Sequence, residues 1–240
     1  MRFIILLFTI TATLLASIGQ VTAIQGEAEL SRKSEYLNVT KGMLIEVNDH
    51  LKTHSHSKTQ VILNDETIIT IGPDSDYFFE DFQEGSDPKV MMQLQHGFFK
   101  AVTGKIGKIA PQRFKIRTKA ATIGIRGTQF MASVQNDEEK IGCIQGVIIV
   151  WTKDGEYTIE AGKMIIYKEK KWQIYEMDMK NFAPVMIGMP LKDRYHRFYK
   201  KHLLPSIEND YILQEQILDT GDPFSFDFKS DNSQPPPFGP

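Results

Sequence analysis

A chain of 240 residues with 41% hydrophobic and 24% charged side chains can bury a core without staples. Its formal net charge of −2 excludes a global electrostatic pull towards nucleic acid. Its single cysteine, Cys143, excludes an internal disulfide framework.

The first element is a targeting segment. Arg2 supplies a positive start, and residues 3–16 are apolar except for Thr9, Thr11 and Thr13. Val21-Thr22-Ala23 then places small residues at −3 and −1 for cleavage before Ile24, so residues 1–23 are expected to be a signal peptide. An uncleaved N-terminal anchor is the other reading, and the apolar run, short for a full membrane span, weighs against it. No later stretch is long and apolar enough to cross a membrane, so no transmembrane span is expected after cleavage. The expected location is periplasmic or secreted. In that oxidising space Cys143, flanked by Ile141, Ile144 and Val147, reads as a buried small hydrophobe rather than a nucleophile.

Residues 26–175 read as strand after strand, within an expected β domain of residues 24–175. Residues 36–47 carry Leu37, Val39, Met43, Ile45 and Val47, with Gly42 as a turn or bulge. Two β-rich runs, 59–63 and 67–71, flank Asn64-Asp65-Glu66 as a hairpin, which Gly72-Pro73-Asp74-Ser75 ends. Residues 77–82 are aromatic and acidic, and 84–89 form a loop. Strands at 90–96 and 98–103 are split by Gly97, and 104–108 form a basic, flexible turn. Residues 113–118 lead into a strand, a bend at Gly124 and Gly127, and a second strand to Val134. Residues 141–153 and 156–167 flank Asp154-Gly155, a strong hairpin signal. Such spacing predicts an all-β sandwich, barrel or solenoid. Three β runs closed by glycine, ending at Gly72, Gly124 and Gly162, fit the rungs of a short β-helix.

The bend at 118–130 holds the candidate site. Arg126 is the one charged residue between two glycines in an apolar run, and a buried guanidinium needs its donors used. It is expected to reach a carboxylate or backbone carbonyls as a clamp, with a ligand or partner contact as the sharper reading. The contact residues are Gly124, Arg126, Gly127 and Thr128. Asp49, His50, His54 and His56 are the metal-like cluster, but no further Cys or His group completes a site, and they read as a solvated polar loop. There is no phosphate-loop frame and no nucleophile elbow, so neither catalysis, a metal nor a cofactor is expected.

In order along the chain, several features resemble the FecR domain family. Gly42 with Asp49-His50-Leu51-Lys52-Thr53 is similar to its “G-D-x-I-x-T” entry, and Val61 to Thr67 to “V-x-L-x-D-G-S”. Ile71-Gly72-Pro73-Asp74-Ser75 is similar to “L-G-P-N-S”, and Gly97-Phe98-Phe99-Lys100 to “G-x-x-R”. Thr118 to Phe130 resembles the hallmark “T-P-x-A-x-x-G-V-R-G-T-x-F”, with Lys119 where the family often has proline. Gln145 to Val150 and Glu160-Ala161-Gly162 are similar to the closing motifs. Glu66 stands where glycine is common. The resemblance covers most of residues 26–175. It implies an all-β, β-helix-like domain outside the cytoplasm. Founding members are membrane-spanning anti-sigma regulators that relay a signal from an outer-membrane receptor. This chain is expected to carry a signal peptide where such members carry a cytoplasmic sigma-binding segment.

Residues 176–219 change to a helical pattern. Leu191, Tyr195, Phe198, Tyr199 and Leu203 share a face beside Lys192, Arg194, Arg197, Lys200 and Lys201. A second, acidic helix follows Ser206. Residues 220–240, with Pro235-Pro236-Pro237, read as a disordered or polyproline tail. The expected protein is all-β and solenoid-like with a short helical C-terminal extension. It is expected to be an exported binding or scaffold module, with an envelope receptor or inner-membrane regulator as its partner. The alternative is a glycan-binding wall accessory using Tyr77-Phe78-Phe79. Nucleic acid is not an expected partner.

Overall fold

The computed structural model describes residues 17–186. The chain divides into two units, Met1–Leu191 and Lys192–Pro240, and every described residue belongs to the first. The tail expected at 220–240 and the helical face at 191–203 lie outside the described residues.

The described chain is predominantly β. In order it forms β1 (Gly19–Gln25), β2 (Ala28–Arg32), β3 (Glu35–Asn38), β4 (Leu44–Ile45), β5 (His50–Thr53) and β6 (Lys58–Leu63). Then come β7 (Ile68–Ile71), β8 (Asp76–Gln83), β9 (Lys89–Val102), α1 (Lys105–Ile109), β10 (Phe114–Arg117) and β11 (Ala121–Gln135). The series ends with β12 (Glu138–Thr152), β13 (Gly155–Glu160), β14 (Lys163–Lys168), β15 (Lys171–Glu176) and α2 (Ala183–Met186). Strand order along the main path is β15-β14-β12-β11-β10-β9-β7-β6-β1-β4, so the path is open at β15 and β4 rather than closed as a barrel. A branch runs β3-β2-β5-β8 and rejoins at β9.

The three longest strands give the fold its shape. β9 pairs with β8 and β10 through its first half, and with β7 and β11 through its second. β11 passes from β10 to β9. β12 pairs with β14 at one end and β13 at the other. Each changes partner at a glycine with positive φ: Gly97 at +94°, Gly127 at +58° and Gly146 at +82°. A left-handed residue bends the strand without the clash a Cβ would bring. The expected break at Gly97 is therefore a bend within one strand.

The β-helix expectation is corrected by the pairing. Stacked rungs need parallel neighbours, yet β9–β10 is the one parallel pairing among the described residues. β7 and β13, two of the glycine-closed runs, pair antiparallel with β6 and β12. Hairpin turns such as Asp154-Gly155, leading into β13, bring sequence neighbours together antiparallel. The expected flexible turn at 104–108 is α1.

Both halves share one core. Tyr77, Phe79, Phe99 and Phe130 are fully buried and meet edge to face, with centroids 5.3–5.7 Å apart. The opposite face of β9, β11 and β14 carries a smaller cluster of Phe98, Met131 and Met164. A 3-10 turn, Met179–Phe182, and α2 cover it with Phe182 and Val185. This is the described start of the helical extension. The boundary expected between Ala23 and Ile24 falls inside β1. Among the described residues no helix is long and apolar enough to cross a membrane.

Candidate functional site at the β11 bend

The approach to the bend is latched by a buried acid. Thr118 Oγ1 donates to Glu139 Oε2 at 2.6 Å, and the Ala120 amide donates to Glu139 Oε1 at 2.8 Å. The Ala121 amide closes the turn on Thr118 Oγ1 at 3.1 Å. Glu139 is 3% exposed, and burial pushes its pKa above the ordinary value, against the opposing pull of Thr118 and Ala120. A carboxyl raised in the folded state contributes stability below the ordinary carboxylate pKa, and loses it as pH rises through the raised value. Glu139→Gln is accordingly expected to flatten the fall in stability with rising pH above that ordinary value. Urea melts of both proteins across the acid range check this, and parallel profiles would refute it.

Gly124 is the seat of an indole. A Cβ there would lie 2.5 Å from Cη2 and Cζ3 of Trp151. Lys115 Nζ stands 5.5 Å from that ring's centroid, and the indole Nε1–H donates to Glu156 Oε2 at 2.8 Å. Gly124 is thus occupied by the fold and closed to a ligand.

Past Ile125 the register shifts: Arg126 pairs with Val147, and Gln129 with Gln145. Gly127 and Thr128 bulge between them. Thr128 is 4% exposed; its amide donates to Thr103 Oγ1 at 3.0 Å, and the Thr103 amide donates to Thr128 O at 3.0 Å. The open side of Gly127 meets nothing within 4 Å. Gly146 lies opposite, where a Cβ would strike Gly127 O. The Arg126 side chain is exposed and makes no hydrogen bond or ion pair with the described residues. The expected clamp is not what this side chain does. Of the four expected contact residues, Arg126 and Gly127 face solvent while Gly124 and Thr128 are structural.

The clamp is the half-buried Arg32, which sequence reading missed. Its Nε and one terminal nitrogen donate to Oδ1 and Oδ2 of Asp49 at 2.7 and 2.6 Å. Its other terminal nitrogen donates to Glu46 Oε1 at 2.7 Å, while the nitrogen that meets Asp49 Oδ2 also donates to the Leu44 carbonyl at 2.8 Å. Asp49 is fully buried and also accepts from the Glu46 amide at 2.7 Å. The hydrogen bond to Asp49, with the charges of Asp49 and Glu46, holds the guanidinium pKa above its ordinary value. No local signal marks this pair, whose partners come from β2 and the β4–β5 connection.

Asp49 is therefore spent on Arg32. His50 Nε2 meets Asp76 Oδ1, while His54 Nε2 stands 3.8 Å from Glu29. The histidines diverge, and no group among the described residues gathers three metal-ligating side chains. Tyr77 and Phe79 belong to the core, which leaves Phe78 as the partly exposed member of that aromatic run. Cys143 is buried as expected, its thiol pushed up to about 11 by burial.

A family model described as FecR protein matches residues 49–148, from the buried Asp49 to the middle of β12. No curated protein matches the chain. Two crystal structures of a candidate anti-sigma factor from Parabacteroides distasonis ATCC 8503, at 2.50 and 1.65 Å, are similar at 13% identity. Their TM-scores are 0.49 and 0.47, over 56% of this chain and 62% of theirs. The chain thus spans about three-fifths of the length of those proteins.

Proposed function

We infer, from the FecR domain that residues 49–148 carry, that this protein is a non-enzymatic regulatory module that works in signal sensing. We place it outside the cytoplasm, exported by its N-terminal leader, and give it a protein partner in the envelope, either a receptor or an inner-membrane regulator. The observation that carries this reading is Arg126, an exposed guanidinium with no hydrogen bond or ion pair to the described residues, held beside a bulge of β11 where that strand pairs with β12. A guanidinium so presented suits a carboxylate or a row of backbone carbonyls on another protein. Two polar latches, at Glu139 and at Thr103–Thr128, hold the strand around it. The core positions of Tyr77 and Phe79 take away the observation that favoured a glycan.

In-cell crosslinking of a tagged copy tests the proposal. Arg126→Ala is expected to melt within about 1 °C of the parent, as an exposed change away from packing. It is also expected to lower capture of the crosslinked partner at least about tenfold, the loss of roughly 1.4 kcal/mol of binding. Unchanged capture by a folded Arg126→Ala protein would remove Arg126 as the contact. The absence of any captured envelope protein would remove the reading.

A further inference from the structure

We propose that export processing hydrolyses the Ala16–Ser17 peptide bond and leaves β1 whole, instead of cutting after Ala23. The inference rests on the export reading above. By residue size alone Val21-Thr22-Ala23 is the better match for leader cleavage. The fold argues against that bond, because it lies in a strand the domain uses from end to end.

β1 pairs antiparallel with β6 from Gly19↔Leu63 to Gln25↔Lys58, and with β4 at Gly19↔Ile45 and Gln20↔Leu44. Its backbone is engaged even before the strand begins. The Asn64 side-chain amide donates to Ser17 O at 2.7 Å, and the Asn64 backbone amide to Ile18 O at 2.9 Å. The Ile18 amide donates to Ile45 O at 2.8 Å. Val21 donates to Met43 O at 2.9 Å and accepts from the Gly42 amide at 2.8 Å. Ile18 and Val21 are 5% and 1% exposed and belong to the main core. Gly19 packs so closely on the Ile62 carbonyl that no Cβ would fit.

A cut after Ala23 would strip these bonds and both core side chains. It would leave β4 with no partner among the described residues and open the β6 edge. A cut after Gly19 has small residues at −3 and −1, Ser17 and Gly19, but discards Ile18 and both Asn64 contacts. Ala16 is the last small residue ahead of the first backbone group that the domain uses, and it ends the apolar run. Its −3 residue, Leu14, is aliphatic rather than small, so the fold and not the motif selects this bond. The reaction needs only water and a membrane endopeptidase that takes a small residue immediately before the cut. The Ala16 carbonyl becomes a carboxylate, and the Ser17 nitrogen becomes the new amino terminus.

The test is the intact mass and N-terminal peptide of a C-terminally tagged full-length chain, after fractionation of an exporting bacterial host. Exported protein that begins at Ser17 is the expected result. Exported protein that begins at Gln20 or Ile24, or that remains uncut at the membrane, overturns the inference while export stands. Protein retaining Met1 in the cytoplasm overturns the export reading, and this inference with it. A second measurement places chains beginning at Ser17 and at Ile24, both ending at Pro240, behind a foreign leader. The Ile24 chain is expected to melt at least about 10 °C lower, the scale for losing several core contacts in a domain of this size. Melting within about 2 °C of the Ser17 chain, less than the shift for one such contact, would overturn the inference.

Discussion

Arg32→Ala is expected to lower the unfolding free energy by about 3 kcal/mol, the low end of the range for stripping one partner from a buried ion pair, because Asp49 is buried while Arg32 is half-buried. The reason lies in Asp49. Its carboxylate is fully buried and takes two guanidinium bonds, so removal of Arg32 leaves a charge with one remaining donor, the Glu46 amide. The same change frees Glu46 and the Leu44 carbonyl, loosening the connection that carries β4 beside β1. Arg32→Lys should recover only part of the loss, because an ammonium cannot present the planar pair of donors that both Asp49 oxygens accept. Denaturant unfolding of the three proteins decides the matter. A loss below about 1 kcal/mol, the value of an exposed pair, would mean that Asp49 is not held as described.

Asp65→Ala is expected to cost about 2–4 kcal/mol, by leaving several buried donors without an acceptor. Asp65 is 1% exposed in the turn between β6 and β7. Its Oδ1 accepts from the Thr67 amide at 3.0 Å, and its Oδ2 from Thr67 Oγ1 at 2.9 Å and the Ile106 amide at 3.2 Å. Thr67 Oγ1 in turn accepts from the Gly104 amide at 2.9 Å, and Asp65 O from the Lys105 amide at 2.7 Å. One turn therefore holds the first turn of α1. Five residues cannot sustain a helix alone. Amide hydrogen exchange in α1 should thus accelerate in the variant well beyond the change in global stability. Unaltered protection there would show that α1 is held by Ile106 burial instead.

Much of this arrangement can be read from residue types that act locally. Asn64-Asp65-Glu66 and Asp154-Gly155 mark hairpins because their chemistry suits a tight turn wherever it occurs. Glu66 adopts φ +71°, which gives a physical reason for the glycine common at that place in the resembling family. The hallmark at 118–130 pointed to a strand, a bend and a strand, and the family model covers it. The role given to Arg126 did not follow, since burial is decided by neighbours remote in the chain. The aromatic run 77–79 shows the same limit: alternation sends Tyr77 and Phe79 inward, but only the partner strands say which face is covered.

By itself the sequence determined the β class, the positions of turns such as Asn64-Asp65-Glu66 and Asp154-Gly155, the burial of Cys143 and the match of residues 49–148 to the FecR model. These depend on side-chain size, polarity and backbone preference at single positions or across short windows. The tertiary structure alone decided that Gly97 and Gly146 bend continuous strands, and that the described strands pair antiparallel, except β9 with β10, rather than as stacked rungs. It alone joined Arg32 to Asp49, seated Trp151 on Gly124 and drew residues 17–23 into the domain. Each of these is a contact between segments far apart in the chain. Its free energy exists only once both partners have been brought together and desolvated, and no local preference encodes that step.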